Sequence, residues 1–265
     1  MGVVGWLKSF LGDSRLNRRQ KAPPPSEAEL QAAIARLDQM VKPALFGEIG
    51  GVRPGRSGQP SSWWGGQFFG AEGEGVPIGQ GTGRAMRPLV QIRTDEVPEP
   101  PAWLAGIALV TIWVDVKAVF GDHDRPGTGF AIRTYATLDG LVPMGPGSQG
   151  GRDLPVFPIA WRGPVADQPS WEDFADEIPA SVAQSNEEGW FFESRYAAQA
   201  EALSEICPVK LGGWPNWIQG GNWPDDGEFC LQVNATDKGR FSLGDGGSLY
   251  IFRTPRAWAS RSDCY

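Results

Sequence analysis

The one histidine, His123, stands between two carboxylates in Asp122-His123-Asp124. An imidazole so flanked can have its pKa raised and serve as acid or base, or join the carboxylates around a metal. The segment also begins like a calcium loop, yet Pro126 and Arg133 stand where further oxygen ligands belong. Its place after a long apolar run makes a solvated turn the first reading. Other catalytic templates fail in turn. Zinc-protease motifs need two histidines on one helix face, and a phosphate-cradling loop needs a Gly-Lys pair that this chain lacks. Gly79-Gln80-Gly81-Thr82-Gly83 has no clear strand before it and no clear helix after it, as a dinucleotide site requires. Ser148 lies in a glycine-rich loop, but Pro146 occupies the position where a nucleophile elbow needs glycine. No catalytic residue, metal or cofactor is therefore expected.

Two binding arrangements remain. The first is a stretch from Gly163 to Ser194 with Asp167, Glu172, Asp173, Asp176, Glu177, Glu187, Glu188 and Glu193 and no Lys or Arg. Trp171, Phe174, Trp190, Phe191 and Phe192 are interleaved. Carboxylates steer a basic protein partner, and buried aromatic rings hold it. Trp171, Asp173, Asp176, Glu177, Glu187, Glu188 and Trp190 are the candidate partner-binding residues. The plainer reading is a solvated helix face whose aromatics point into the core. The second arrangement is a polar cleft between two halves of the chain, holding Gln91, Trp214, Gln232 and Asp245, for an enzyme or a small ligand. Strand amides next to a core must satisfy their hydrogen bonds, so a structural role for both Gln side chains stands beside it. Asp245, in Gly244-Asp245-Gly246-Gly247, reads first as part of a tight turn.

Composition narrows the partner. A net charge of −7 disfavours nucleic acid, which needs a positive surface to displace counterions, and suits a basic protein partner. Cys207, Cys230 and Cys264, an odd number without CxxC spacing, read as reduced thiols of a cytoplasmic protein. No apolar run approaches bilayer length. Residues 1–25 form an arm: Val3, Trp6, Leu7, Phe10 and Leu11 at helical spacing, then Arg15, Arg18, Arg19 and Lys21, then a three-proline stop. An arm packed on the body, or partly disordered, is favoured over an interfacial membrane anchor, since one short helix with few cations binds lipid weakly.

The elements that must position these residues begin with a helix after Ser26, where Ser26 and Glu29 make a capping box and Leu30, Ile34, Leu37 and Val41 an apolar stripe. Strands are expected over 88–92, 107–119, 228–233 and 248–253, and helices after Ser170 and over about 194–206. Residues 138–170 read as a packed loop. Leu89-Val90-Gln91-Ile92 is echoed by Cys230-Leu231-Gln232-Val233, and Gly65-Gly66 by Gly212-Gly213. The pattern suggests an α+β fold of mostly antiparallel sheets, built from two divergent β-rich half-repeats with a few helices. The body would span residues 26–265, with half-repeats about 26–155 and 156–265.

Lys210-Leu211-Gly212-Gly213-Trp214-Pro215, Ile218-Gln219, Leu231-Gln232-Val233 and Gly244-Asp245-Gly246-Gly247-Ser248-Leu249-Tyr250-Ile251-Phe252, taken in order, resemble the YwqG-like family of bacterial domains. The resemblance covers residues from about 26 to 260. It implies an α+β protein of two related halves, brings no catalytic residues, and implies an antidote (immunity) role in which the chain neutralises a cognate toxin as a non-enzymatic protein-binding module.

Overall fold

The computed structural model describes residues 24–51, 58–144, 154–185 and 197–265; the arm calls at residues 1–23 lie outside them. α1 (Glu27–Met40) starts where the capping box places it. The Ser26 N–H donates to Glu29 Oε2 at 2.8 Å, and the Glu29 N–H to Ser26 Oγ at 3.3 Å. Its buried face is Ala33, Leu37 and Met40; of the expected stripe only Leu37 is buried, with Ala33 and Met40 one position ahead of Ile34 and Val41.

The strands are β1 (Lys42–Ile49), β2 (Trp63–Trp64), β3 (Phe69–Ala71), β4 (Arg87–Arg93), β5 (Leu109–Val114), β6 (Phe130–Tyr135), β7 (Leu141–Pro143), β8 (Phe157–Asp167), β9 (Val209–Gly212), β10 (Glu228–Asn234), β11 (Ser248–Arg253) and β12 (Trp258–Asp263). Ten of them form one sheet in the order β12-β11-β10-β9-β1-β8-β2-β4-β5-β6; β3 and β7 pair separately. This corrects the α+β expectation of two half-repeats. Among the described residues strand outweighs helix, and the large sheet is a nearly closed antiparallel barrel. The physical reason lies in β1 and β8. β1 pairs with β8 on one side and β9 on the other, so the ladder runs unbroken from one half of the chain into the other.

The two ends of the sheet meet through the linker that follows β5. His123 N–H donates to Ser260 O at 2.9 Å, and Ser260 N–H returns to His123 O at 2.8 Å. Ser262 Oγ accepts from the Gly121 N–H at 2.7 Å, and Arg261 reaches Asp124 at 2.8 Å. Inward-facing residues alternate with outward ones, as the two-residue pleat requires. Leu45, Val110, Ile112, Val209, Leu211, Leu231, Val233, Leu249 and Ile251 fill the interior with Trp64 and Trp103. Outside, α1 packs with α2 (Trp171–Phe174) and α3 (Ala180–Ser185) around Leu37, Phe174 and Val182. α4 (Ala197–Ile206) covers Ala44, Phe46 and Val165.

Glu29 also accepts from Ser181 Oγ at 2.7 Å, tying α1 to α3. Hydrogen bonds from Ser26 and Ser181 hold its carboxyl down to about 2 against an ordinary 4.5. The unfolded chain then takes up this proton near 4.5 while the folded chain refuses it until about 2, so stability present above pH 4.5 is lost as pH falls toward 2. Thermal midpoints measured across that range should fall less steeply in Glu29→Gln than in the intact chain. An unchanged slope would show that this carboxylate does not carry the acid sensitivity.

Candidate functional site

Lys210 lies on β9 between Val209 and Leu211, on the outer face of the barrel wall, and is 1% exposed. A buried ammonium needs a counter-charge and full hydrogen bonding. Asp167, at the end of β8, supplies the first at 2.7 Å, and Asn216 Oδ1 accepts at 2.7 Å. Burial lowers the ammonium's pKa, and Asp167 opposes the shift. The same Asp167 carboxylate accepts the Trp214 N–H at 2.7 Å. That bond needs a tight approach: at Gly213 (φ +69) a Cβ would fall 2.2 Å from Asp167 Oδ2. Glycine is required there both by the left-handed backbone and by the space.

These contacts launch a loop, residues 213–227, that lies over the outer face of β10 and β11. Gln232 Oε1 accepts from the Asn216 N–H at 2.9 Å, and Tyr250 Oη donates to Asn216 O at 2.8 Å. Asp263 on β12 accepts from the Ile218 and Gln219 N–H groups at 3.0 and 3.2 Å. So held, the loop presents three partly exposed indoles, Trp214, Trp217 and Trp223. Trp223 stands edge-on to Trp214 at 6.1 Å and 82°, and to Trp217 at 6.0 Å and 74°. Trp217 stacks on Phe252 at 5.9 Å. Asp173 on α2 accepts from both indole N–H groups, Trp223 at 2.5 Å and Trp217 at 3.0 Å. Desolvation raises the Asp173 pKa, and the indole bonds oppose it. The Lys42 ammonium rests 3.6 Å from the centre of the Trp214 ring.

Of the expected partner-binding residues, Asp173 is thus tied into the Trp loop. Trp171 is half-buried and packs against the cluster of α1, α2 and α3. Asp176 is exposed, and Glu177 pairs with Arg36 of α1 at 2.5 Å, so part of the acidic run has a cation across from it. Glu187, Glu188 and Trp190 lie outside the described residues. Of the cleft residues, Trp214 and Gln232 meet at the loop. Gln91 is on β4, with β2, β8, β1 and β9 between it and β10. Its amide accepts from the Phe69 N–H at 2.8 Å and donates to Ser61 O at 2.7 Å. Asp245 is exposed in a turn whose backbone carbonyl takes the Tyr265 N–H.

His123 faces Phe130 and Gly129, whereas Asp122 turns to Asn222 and both Asp122 and Asp124 approach Arg261, at 4.0 and 2.8 Å. The two carboxylates thus share the Arg261 guanidinium. Among the described residues no group of three or more His, Cys, Asp or Glu is placed to hold a metal. Burial pushes the Cys207 thiol up to about 11, and the Cys230 thiol is also raised.

Lys42, Asp167, Lys210, Trp217 and Trp223 are the site members that the sequence reading did not assign. A signal for Lys210 exists: one lysine between Val209 and Leu211, just ahead of a Gly-Gly-Trp turn, has to be solvated or paired. Trp217 and Trp223 were readable only as a local density of indoles. Lys42 and Asp167 carry no local sign, because the register between β1 and β8 brings them opposite each other.

Comparison with protein-family models finds no match, and comparison with curated proteins finds none either.

Lys210→Met leaves Asp167 buried without its cation, which should cost about 3–5 kcal/mol of stability in chemical denaturation. Adding Asp167→Asn should recover part of that loss, because the amide oxygen still takes the Trp214 N–H. If the single and double variants are equally destabilised, the loss is one of packing and not of charge.

Proposed function

We propose that the chain is a non-enzymatic protein-binding module for a basic partner, and that it acts as a cytoplasmic antidote protein of the YwqG-like kind. One observation carries this reading: the acidic α2 and the Trp loop form one continuous outer surface, joined at Asp173. Glu172 and Asp176 are exposed on the α2 side, and Trp217 and Trp223 are partly exposed on the loop side. A negative rim that accelerates encounter beside rings that lose water on contact is what a hot spot for a cationic partner requires. The surface is prepared in advance, since the loop's backbone is held by Asp167, Gln232, Tyr250 and Asp263 and little ordering remains to be done on binding. The free thiols of Cys207, Cys230 and Cys264 fit a reducing compartment, and no described helix is long and apolar enough to cross a membrane.

The test is to co-purify the chain with the product of the adjacent gene and to measure both binding rates across salt concentrations. Glu172→Lys with Asp176→Lys should slow association by about tenfold or more at low salt and flatten its salt dependence. Trp223→Ala should mainly hasten dissociation, by about tenfold or more. Trp223→Phe keeps a ring while losing the bond to Asp173, and so separates contact area from loop anchoring. Charge-reversed protein that folds normally and binds at unchanged rates would exclude this surface as the interface.

A further inference from the structure

We propose that the outward face of Trp214, beside Asp173, is a binding site for an alkylammonium group which the chain fills with its own Lys42, so that a partner's lysine-type cation enters by displacing it. The inference rests on the reading of this surface given above and specifies which ligand atoms it takes.

Lys42 is the first residue of β1 and is exposed as a whole, yet its ammonium is pressed against the ring, 3.6 Å from the centroid. That distance is well inside the range at which a ring's negative face attracts a cation. The contact with the ring desolvates the ammonium and lowers its pKa, while Asp173, Glu228 and Asp167 act against that shift in that order. The field at this spot is therefore negative. Among the described residues the Lys42 ammonium makes no direct ion pair with a carboxylate, so the ring and the surrounding field hold it. Contrast Lys210, which is locked to Asp167 and fully buried. An exposed, flexible ammonium on a ring can leave at little cost; a buried, paired one cannot.

The remaining walls suit a cation as well. Trp223 stands edge-on beside Trp214, its ring centre 6.1 Å away. Asp173 is fixed by the two indole N–H groups, so its charge stays near the rings whether or not Lys42 is present. Trp214 is itself anchored by its indole N–H, which donates to Met40 O at 2.8 Å. An aromatic face with a fixed carboxylate near it is an arrangement by which alkylated ammonium groups are recognised.

Choline is the probe, with the neutral analogue in which a tert-butyl group replaces the trimethylammonium as the control. Tryptophan fluorescence is followed while each is titrated into the intact chain, Lys42→Ala and Lys42→Gln. With the internal cation removed, choline affinity should rise about tenfold or more in both variants, the neutral analogue should not bind, and Trp214→Ala in the Lys42→Ala background should abolish binding. Lys42→Gln keeps most of the side-chain stem, which guards against a loss of packing in the alanine variant. Unchanged choline affinity in variants whose thermal midpoint is retained would overturn the proposal, as would equal binding of the neutral analogue. Unfolding of both variants would make Lys42 a structural clamp and overturn it too. No protein partner enters this experiment, so it can succeed while the antidote reading fails, and the reverse.

Discussion

The pairing of Lys210 with Asp167 is the constraint from which the outer surface of this barrel follows. The two residues sit on strands that are not neighbours: β9 and β8 flank β1, and the side chains reach each other across it. The register makes this possible. Lys42 lies opposite Asp167, Ala44 opposite Gly212, and Phe46 opposite Lys210. The bridge therefore passes over Ala44, where only a methyl group stands in the way. A longer side chain at that position would compete for the space of the ion pair. Moving two charges out of water costs several kcal/mol each, so such a pair adds little net stability by itself. What it adds is specificity, because a one-residue slip of β9 against β1 would turn the ammonium into the apolar interior.

From that pair the proposed binding surface is built outward by a chain of hydrogen bonds. Asp167 fixes the Trp214 backbone, Gln232 and Tyr250 fix Asn216, Asp263 fixes the next turn, and Asp173 reaches the two outer indoles from the opposite side. The loop is thus anchored to the wall, while its indoles remain partly exposed. A loop of this length without such anchors would have to be ordered by its partner, and the ordering entropy would be taken from the affinity.

Much of this was legible in the residues, though unevenly. The capping box at Ser26 and Glu29 and the strand at Ser248–Arg253 appear where local chemistry places them, because caps and β-branched or aromatic runs are short-range signals. The two central strands were not read. β1 follows a helix end and contains Pro43, and β8 contains Pro158, Gly163 and Pro164, all of which argue locally for a loop. Their strand state comes from pairing with each other and with neighbours on both sides, which no local window reports. The recurrence of a Gly pair and a strand Gln is real as chemistry: both Gln side chains accept a backbone N–H four residues after the first Gly of the pair. It did not imply two separable halves, since the sheet runs through both. The acidic run was visible from its composition, but the Arg36 that meets Glu177 and the indoles that meet Asp173 come from distant segments.

Where a ligand can be met follows from how the barrel is filled. Its interior is packed with Val, Leu, Ile and Trp side chains from strands all round the sheet. A barrel whose inward side chains meet at the centre is a core, not a vessel. Near closure through His123 and Ser260 also engages the backbone at the two sheet ends, which restrains the pairing with foreign strands that a long free edge invites. With the inside filled and the ends nearly joined, the proposed recognition falls to the outer wall. There the chain carries a net charge of −7, and it places its aromatic loop beside exposed carboxylates and an exposed, ring-bound lysine. Long-range attraction depends on the sum of those charges and weakens as salt rises, whereas the rings act only at contact. On the proposed reading the same few residues would divide encounter from retention, with Lys42 at the border between them as the cation that an incoming one would replace.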